Sequence, residues 1–156
     1  VCDIQGLTQE KAARLRAALE LGRRVCSASV VEINFGCSAD VAQYYMPRLC
    51  DLSVEQFLVC LLNVRNKLIR DVVVSTGSLT ASIVHPREVF HPAVVYRACS
   101  LICVHNHPSG DPTPSQDDLK ITAQLVASGK LLDIRILDHI IVGRQDWVSL
   151  ASKGLI

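Results

Sequence analysis

The feature that most restricts the fold of this chain is an alternation of strand-like and helix-like segments from Glu55 onward. β-Rich runs occur in QFLVCLLN and LIRDVVVST, and the VRNK between them predicts a hairpin. Further apolar runs typical of strands occur in LICVH, in LDIRILDHIIVG and, as a last short piece, at residues 147–150. A chain that alternates strands with helices forms a sheet with helices packed on it, so the sequence predicts an α/β layered fold.

Helices are predicted between these strands from their start and stop signals. The segment HPREVFHPAVVYRACS has Pro86 where a first helical position tolerates proline. Residues 115–128 form a second helical pattern, and Gly129 is expected to close it.

Upstream of Glu55 the pattern is helical, with one interruption. In GLTQEKAARLRAALELGRRV, Thr8 is the expected N-cap. NFGCS then breaks the periodicity, and Ser38 is expected to cap a helix over residues 39–49. The predicted organisation is an N-terminal helix and linker over residues 1–36, followed by one domain over residues 37–156.

Composition narrows the class of protein. Hydrophobic residues make up 49% of the 156 and charged residues 20%, which is typical of a globular chain. The formal net charge of +1 gives no global electrostatic reason to expect nucleic acid, a membrane or an acidic partner. Seven cysteines are scattered without a CxxC pair, which favours free thiols in a reducing, cytoplasmic setting. The longest apolar runs are too short to span a bilayer.

The stretch VHNHPSGDPTPSQDD is the least ordinary part of the sequence. Alternate residues of a strand share a face, with Cα atoms about 6.5–7 Å apart, so His105 and His107 can point at one metal ion if the strand reaches His107. Asp118 lies in the first turn of the next helix, after a proline-rich loop, and is the candidate third ligand. Two histidines and one carboxylate leave a zinc coordination position open, which is the mark of a catalytic site.

The sequence also allows other roles for these residues and other ligands for the metal. Ser115 and Asp118 also form a capping-box pattern, although a capping serine is compatible with a metal site. Strand alternation places Cys103 on the same side as His105, where its thiol is a rival ligand. The alternative carboxylates belong to Asp111 and Asp117.

A catalytic zinc site also needs a base for its water. The sequence offers Glu55, just before the QFLVCLLN strand, and Glu88 in HPREVF. Spacing alone does not decide between them.

EQFLVCLLN followed by HNHPSGDPTPSQDD resembles the JAMM (MPN+) metalloprotease signature, Glu … His-x-His-x7-Ser-x-x-Asp. SIVHPREVF and LDHIIVG are further similar to the bacterial RadC family of that group. The resemblance covers roughly residues 37–156. It implies a three-layer α-β-α sandwich of the JAB/MPN type, related to cytidine deaminases, with an N-terminal helical segment.

The resemblance implies one zinc ion per chain, with His105, His107 and Asp118 as its ligands. It implies Glu55 as the base that takes a proton from the zinc-bound water, and Ser115 as a support for the oxygen of the tetrahedral intermediate. The implied reaction is hydrolysis of a peptide or isopeptide bond in a protein or peptide substrate that no residue identifies.

The resemblance also leaves an alternative function, a non-catalytic zinc-containing binding module of a DNA repair or recombination protein. The first segment is similar to the second half of a helix-hairpin-helix element, but its turn reads GLT and lacks the second glycine. DNA is therefore expected only through that incomplete element, and no membrane partner is expected. His139 in LDHIIVG has two interpretations, a partner of the metal site or a hydrogen-bonded strand histidine. Oligomeric state is not readable from the sequence.

Overall fold

The computed structural model describes residues 8–27, 33–77 and 84–156. It divides into two units, Val1–Glu32 and Ile33–Ile156. The described part of the first unit is helix α1 (Gln9–Ser27), and the hydroxyl of Thr8 accepts a hydrogen bond from the Lys11 N–H at 3.3 Å, as an N-cap should. Among the described helices, none combines the length and the apolar character needed to cross a membrane.

The described part of the second unit contains α2 (Ser38–Leu49), β1 (Gln56–Leu62), β2 (Leu68–Thr76), α3 (Pro86–Val95), β3 (Ser100–Asn106), α4 (Gln116–Leu132), β4 (Arg135–Val142) and β5 (Trp147–Ser149). The strands form one sheet in the order β2-β1-β3-β4-β5. Only the β3–β4 pair is parallel, and the other neighbours are antiparallel. The predicted hairpin is β1–β2, where two register shifts each leave one extra residue on β2.

The sheet is covered on both faces. Helix α2 packs on one face against Leu58, Cys60, Leu62, Ile102, Val104, Ile140 and Val142. Helices α3 and α4 pack on the other face against Phe57, Val59, Leu61, Leu101, Cys103 and Ile136. The central strands β1 and β3 are therefore buried on both faces, which explains why they read as continuous apolar runs. The predicted three-layer α/β architecture is confirmed.

Strand β4 carries one irregularity that determines which residues face the α4 side of the sheet. Leu101 pairs with Ile136, but the next residue, Ile102, pairs with Asp138, so Leu137 is an extra residue in β4. Because side chains alternate along a strand, the extra residue exchanges the faces of everything after it. Asp138 thus points to the α2 face, and His139 points to the α4 face.

Two predicted helix ends differ from the structure. Gly129 lies inside α4, which ends at Leu132 with Asp133 in the left-handed conformation; a Cβ on Gly129 would overlap the Ile134 carbonyl oxygen, so close packing explains the glycine. Cys37, not Ser38, is the N-cap of α2. The Ser38 hydroxyl instead donates to the buried carboxylate of Asp138 at 2.6 Å.

Candidate metal centre

Three predicted ligands converge where β3 ends and α4 begins. His105 lies near the end of β3, His107 directly follows the strand, and Asp118 lies in the first turn of α4. His105 Nε2 and His107 Nε2 are 3.1 Å apart. Asp118 Oδ1 is 3.2 Å from His105 Nε2, and its Oδ2 is 3.3 Å from His107 Nε2. These three residues form a group that could hold a metal ion.

The spacing of these atoms fits a divalent ion. Zinc ligands lie at about 2.0–2.2 Å from the metal, so two ligands at tetrahedral corners are separated by roughly 3.3 Å. The three observed separations, 3.1, 3.2 and 3.3 Å, match that value. The three side chains therefore already lie close enough together to share one metal ion.

Hydrogen bonding fixes the orientation of the His107 ring. Its Nδ1 is 2.7 Å from the backbone carbonyl oxygen of Asp111. A carbonyl oxygen only accepts, so Nδ1 carries the proton and the Nε2 lone pair faces Asp118. Asp111 thus serves the site through its backbone, because its carboxylate accepts hydrogen bonds from Thr113 at 2.7 and 2.9 Å instead.

The electrostatics of the centre favour a cation. Burial raises the pKa of Asp118, but close contacts with the imidazoles of His105 and His107 and hydrogen bonds from Ser115 outweigh it and hold the pKa well below its usual range. The contact with Asp118 raises the pKa of His107, whereas burial lowers the pKa of His105. An ionised carboxylate beside two imidazoles suits a divalent ion.

Ser115 both caps helix α4 and orients the carboxylate of Asp118. As the N-cap of α4 its hydroxyl accepts from the Asp118 N–H at 3.1 Å. It also donates to Asp118 Oδ2 at 2.6 Å, and the Ser115 N–H donates to the same oxygen at 2.7 Å. The capping box therefore aims the carboxylate at the histidines. A role for Ser115 toward substrate stays a prediction.

Glu55 lies directly before β1, is half-buried, and interacts electrostatically with His105 and His107. Its backbone is held by the buried side chain of Asn106, which accepts from the Gln56 N–H at 2.8 Å and donates to the Val54 carbonyl at 3.1 Å. Glu88, the other candidate base, pairs with Arg87 at 2.9 Å and its side chain is 54% exposed.

Sequence reasoning missed Asn106, although a signal was present. Strand alternation places the amide of Asn106 on the same face as the apolar side chains of Ile102 and Val104, where it is expected to be buried, and buried polar groups need partners. What the sequence could not give is the identity of those partners, which lie fifty residues earlier in the chain.

The rival ligands are not part of the centre. Cys103 is buried in the core against α3 and α4, and burial raises the pKa of its thiol. Asp117 is on the surface of α4, where it pairs with Lys120 at 3.2 Å. Neither belongs to the group of converging donors found among the described residues.

Behind the centre, His105 is supported by a chain of buried hydrogen bonds. His105 Nδ1 is 2.8 Å from His139 Nε2, and His139 Nδ1 is 2.6 Å from the Thr122 hydroxyl. Thr122 in turn donates to the Asp118 carbonyl oxygen at 2.6 Å. Burial lowers the pKa of His139 well below its usual value, so its ring is neutral. The ring of Phe57 stacks on His105 with centroids 5.9 Å apart.

Comparison with known proteins identifies the family of the chain. The RadC-like JAB domain matches residues 35–155. A UPF0758 protein of Geobacillus kaustophilus is 46% identical over 155 residues, which cover 99% of this chain and 69% of the relative. UPF0758 proteins of Caldanaerobacter subterraneus and Bacillus licheniformis are 47% and 49% identical, with 66% and 68% of their lengths covered. The chain belongs to the RadC family.

Proposed function

We propose that this chain is a zinc-dependent hydrolase that uses water to cleave a peptide or isopeptide bond. The observation that supports it most is the convergence of His105 Nε2, His107 Nε2 and the two carboxylate oxygens of Asp118, with separations of 3.1–3.3 Å. Two imidazoles and one carboxylate are a donor set that zinc accepts in hydrolases. The described residues supply three protein donors, not the four typical of a structural zinc site.

The burial pattern supports access for a substrate from one side. The side chain of His105 is 0% exposed, whereas that of His107 is 13% exposed. Ser115, at the N-terminus of α4, is exposed. A carbonyl group can therefore approach along the His107 and Ser115 side, while the His105 side is closed by the core.

His105, His107 and Asp118 would hold the zinc ion, which would supply Lewis acidity toward water and a substrate carbonyl group. The chain itself supplies the proton transfers. Glu55 accepts a proton from the attacking water and delivers it to the nitrogen of the leaving amine, so that no net charge is left on the products. Asn106 keeps the Glu55 backbone fixed during both transfers. Ser115 aims the Asp118 carboxylate, and its hydroxyl can turn toward the developing oxyanion.

The experiment distinguishes loss of the general base from loss of the metal ion. Glu55→Gln keeps the shape of the side chain but removes its basicity, so hydrolysis should fall by about 10²- to 10⁴-fold while one zinc per chain stays bound. Glu88→Gln is the matched control, and it should hydrolyse like the unmodified chain. Both variants are loaded with zinc, incubated with a peptide library that includes lysine isopeptides, and compared by mass spectrometry, with zinc measured by elemental analysis.

Hydrolysis of the library by Glu55→Gln at the unmodified rate would overturn the proposed mechanism. Hydrolysis that survives complete removal of zinc would overturn it as well.

A further inference from the structure

We infer that Thr122 and His139 are positioning residues that select the tautomer of His105 and thereby turn its Nε2 lone pair toward the metal centre. The inference deepens the proposed function and rests on it for the identity of the ligands. It concerns a relay of three buried side chains, His105, His139 and Thr122, that have no direct contact with substrate.

The hydrogen-bond partners of His107 show which of its ring nitrogens carries the proton, whereas those of His105 do not. His107 Nδ1 faces a carbonyl oxygen, which can only accept. His105 Nδ1 faces another imidazole nitrogen, His139 Nε2, at 2.8 Å, and either nitrogen of that pair could carry the proton. The direction of this hydrogen bond must therefore be decided further along the relay.

Thr122 decides it, because a hydroxyl group has one proton and two short contacts here. Its Oγ1 is 2.6 Å from the Asp118 carbonyl oxygen and 2.6 Å from His139 Nδ1. The carbonyl oxygen has no proton, so the hydroxyl proton must lie on that side. Thr122 Oγ1 is then the acceptor toward His139, and His139 Nδ1 carries a hydrogen.

The remaining protons follow in order. A neutral His139 with its proton on Nδ1 has a lone pair on Nε2, so it accepts from His105 Nδ1–H. A neutral His105 with its proton on Nδ1 has its lone pair on Nε2, the atom that lies 3.1 Å from His107 Nε2 and 3.2 Å from Asp118 Oδ1. Both histidines thus present unprotonated Nε2 atoms, as a metal requires.

The opposite arrangement of protons along the relay is unfavourable at one contact. If His105 carried its proton on Nε2, His139 would carry its own on Nε2, and Thr122 would donate to His139 Nδ1. The Thr122 oxygen and the Asp118 carbonyl oxygen would then lie 2.6 Å apart with no hydrogen between them. Two buried acceptors in contact without a proton are unfavourable. A bound metal ion relieves the contacts of His105 Nε2 with Asp118 Oδ1 and His107 Nε2 but cannot relieve this one, so this arrangement is disfavoured when the centre is loaded.

Two features of the fold build the relay. Thr122 follows Asp118 by four residues on α4, so one helix face supplies both a ligand and the hydroxyl that orders the relay. The extra residue at Leu137 puts His139 opposite Cys103, on the same face of the sheet as His105. With a regular β4 register, His139 would point toward α2 and the relay would not form.

The decisive variant is Thr122→Val, which keeps the shape of the side chain and removes the hydroxyl. His139 then loses its tautomer control, His105 can protonate Nε2, and zinc affinity should fall by about 10- to 100-fold, the usual loss for a residue that supports a ligand. Thr122→Ser should restore the affinity. Ser128→Ala is the matched control, because Ser128 makes the same type of hydroxyl–carbonyl bond on α4, at 2.8 Å to Gln124, without a histidine. Zinc affinity is measured by competition with a chromophoric chelator.

A second measurement needs no variant. Long-range ¹H–¹⁵N correlation spectra of the zinc-loaded unmodified chain at neutral pH should show the Nδ1–H tautomer for both His105 and His139. An Nε2–H tautomer at either residue, or unmodified zinc affinity in a folded Thr122→Val, would overturn the inference. Correct tautomers without any peptide hydrolysis would instead overturn only the proposed function, and Glu55-dependent hydrolysis with the wrong tautomers would overturn only the inference.

Discussion

Gly143 is the position where one added methyl group should disturb the metal centre without touching a ligand. The loop after His107 docks on the end of β4: the His107 N–H donates to Val142 O at 2.9 Å, and the Arg144 N–H donates to Gly110 O at 3.1 Å. A Cβ on Gly143 would lie 2.8 Å from Pro112 Cδ and 3.1 Å from Asp146 O, and would overlap the Gly110 oxygen.

The size of the effect follows from these distances. Carbon atoms in contact prefer about 3.5–4.0 Å, so in Gly143→Ala the loop must retreat by at least roughly 0.7 Å from the 2.8 Å contact. Overpacking of this kind costs about 1–3 kcal/mol of folding free energy. The retreating loop carries the Asp111 carbonyl away from His107 Nδ1, so zinc affinity should also fall, by about 10-fold or more.

Gly129→Ala is the matched control, because its Cβ would overlap the Ile134 carbonyl at the far end of α4, away from the metal centre. It should lower stability by a similar amount and leave zinc affinity unchanged. Stability is read from urea unfolding in the presence of a chelator, and affinity from zinc competition. Equal affinity losses in Gly143→Ala and Gly129→Ala, or no loss of either quantity in Gly143→Ala, would refute the reasoning.

Three further results are expected. Asn106→Ala should lower the free energy of unfolding by about 1–3 kcal/mol, because the Gln56 N–H and the Val54 carbonyl lose their buried partner. The same variant should reduce hydrolysis while zinc affinity stays unchanged. Unchanged urea unfolding would contradict this prediction. Free zinc at 100 times its Kd should raise the free energy of unfolding of the chain by about 2.7 kcal/mol, an increment that Asp118→Asn should abolish in the same titration. Backbone hydrogen bonds from Gly36 and Cys37 lower the pKa of Asp40 below its ordinary 3.8, so the stabilisation by this carboxylate is present above that pH and is lost as the pH falls further. The difference in thermal midpoint between Asp40→Asn and the unmodified chain, measured with chelator, should therefore shrink on acidification. A constant difference would contradict the assignment.

The layered fold and the convergence of His105, His107 and Asp118 were predictable because both depend on local patterns. The strands β1 and β3 are continuous apolar runs, and the three converging residues lie within a short stretch that combines a strand end, a stiff loop and a helix start. Residues that are this close in sequence are brought together by local secondary structure alone.

The support of the centre was predictable only in part. The sequence offered His139 as a partner of the metal site without deciding its role, because the support depends on contacts between distant segments and on irregular strand pairing. Asn106 acts on the segment before β1, and no spacing rule links the two. His139 reaches His105 only because Leu137 is an extra residue in β4, and single bulges leave no clear trace in a hydrophobic pattern. Gly129 likewise resembles a helix end in sequence, although its cause is a close approach of Ile134.

The edge position of β2 has a consequence for behaviour in concentrated solution. In the described part of the chain β1 is the only strand paired with β2, and the segment at residues 33–35 bonds to β2 only at its start, so the other outer backbone groups could template another copy of the strand. The extra residues at the two register shifts interrupt a regular hydrogen-bonding edge. Two charged side chains on the strand are also engaged, Arg70 with the Tyr96 hydroxyl at 2.7 Å and Asp71 with Arg48 at 2.7 Å. Growth of the sheet into an aggregate would have to straighten the strand and desolvate those charges, so this edge is protected against fibrillar self-association.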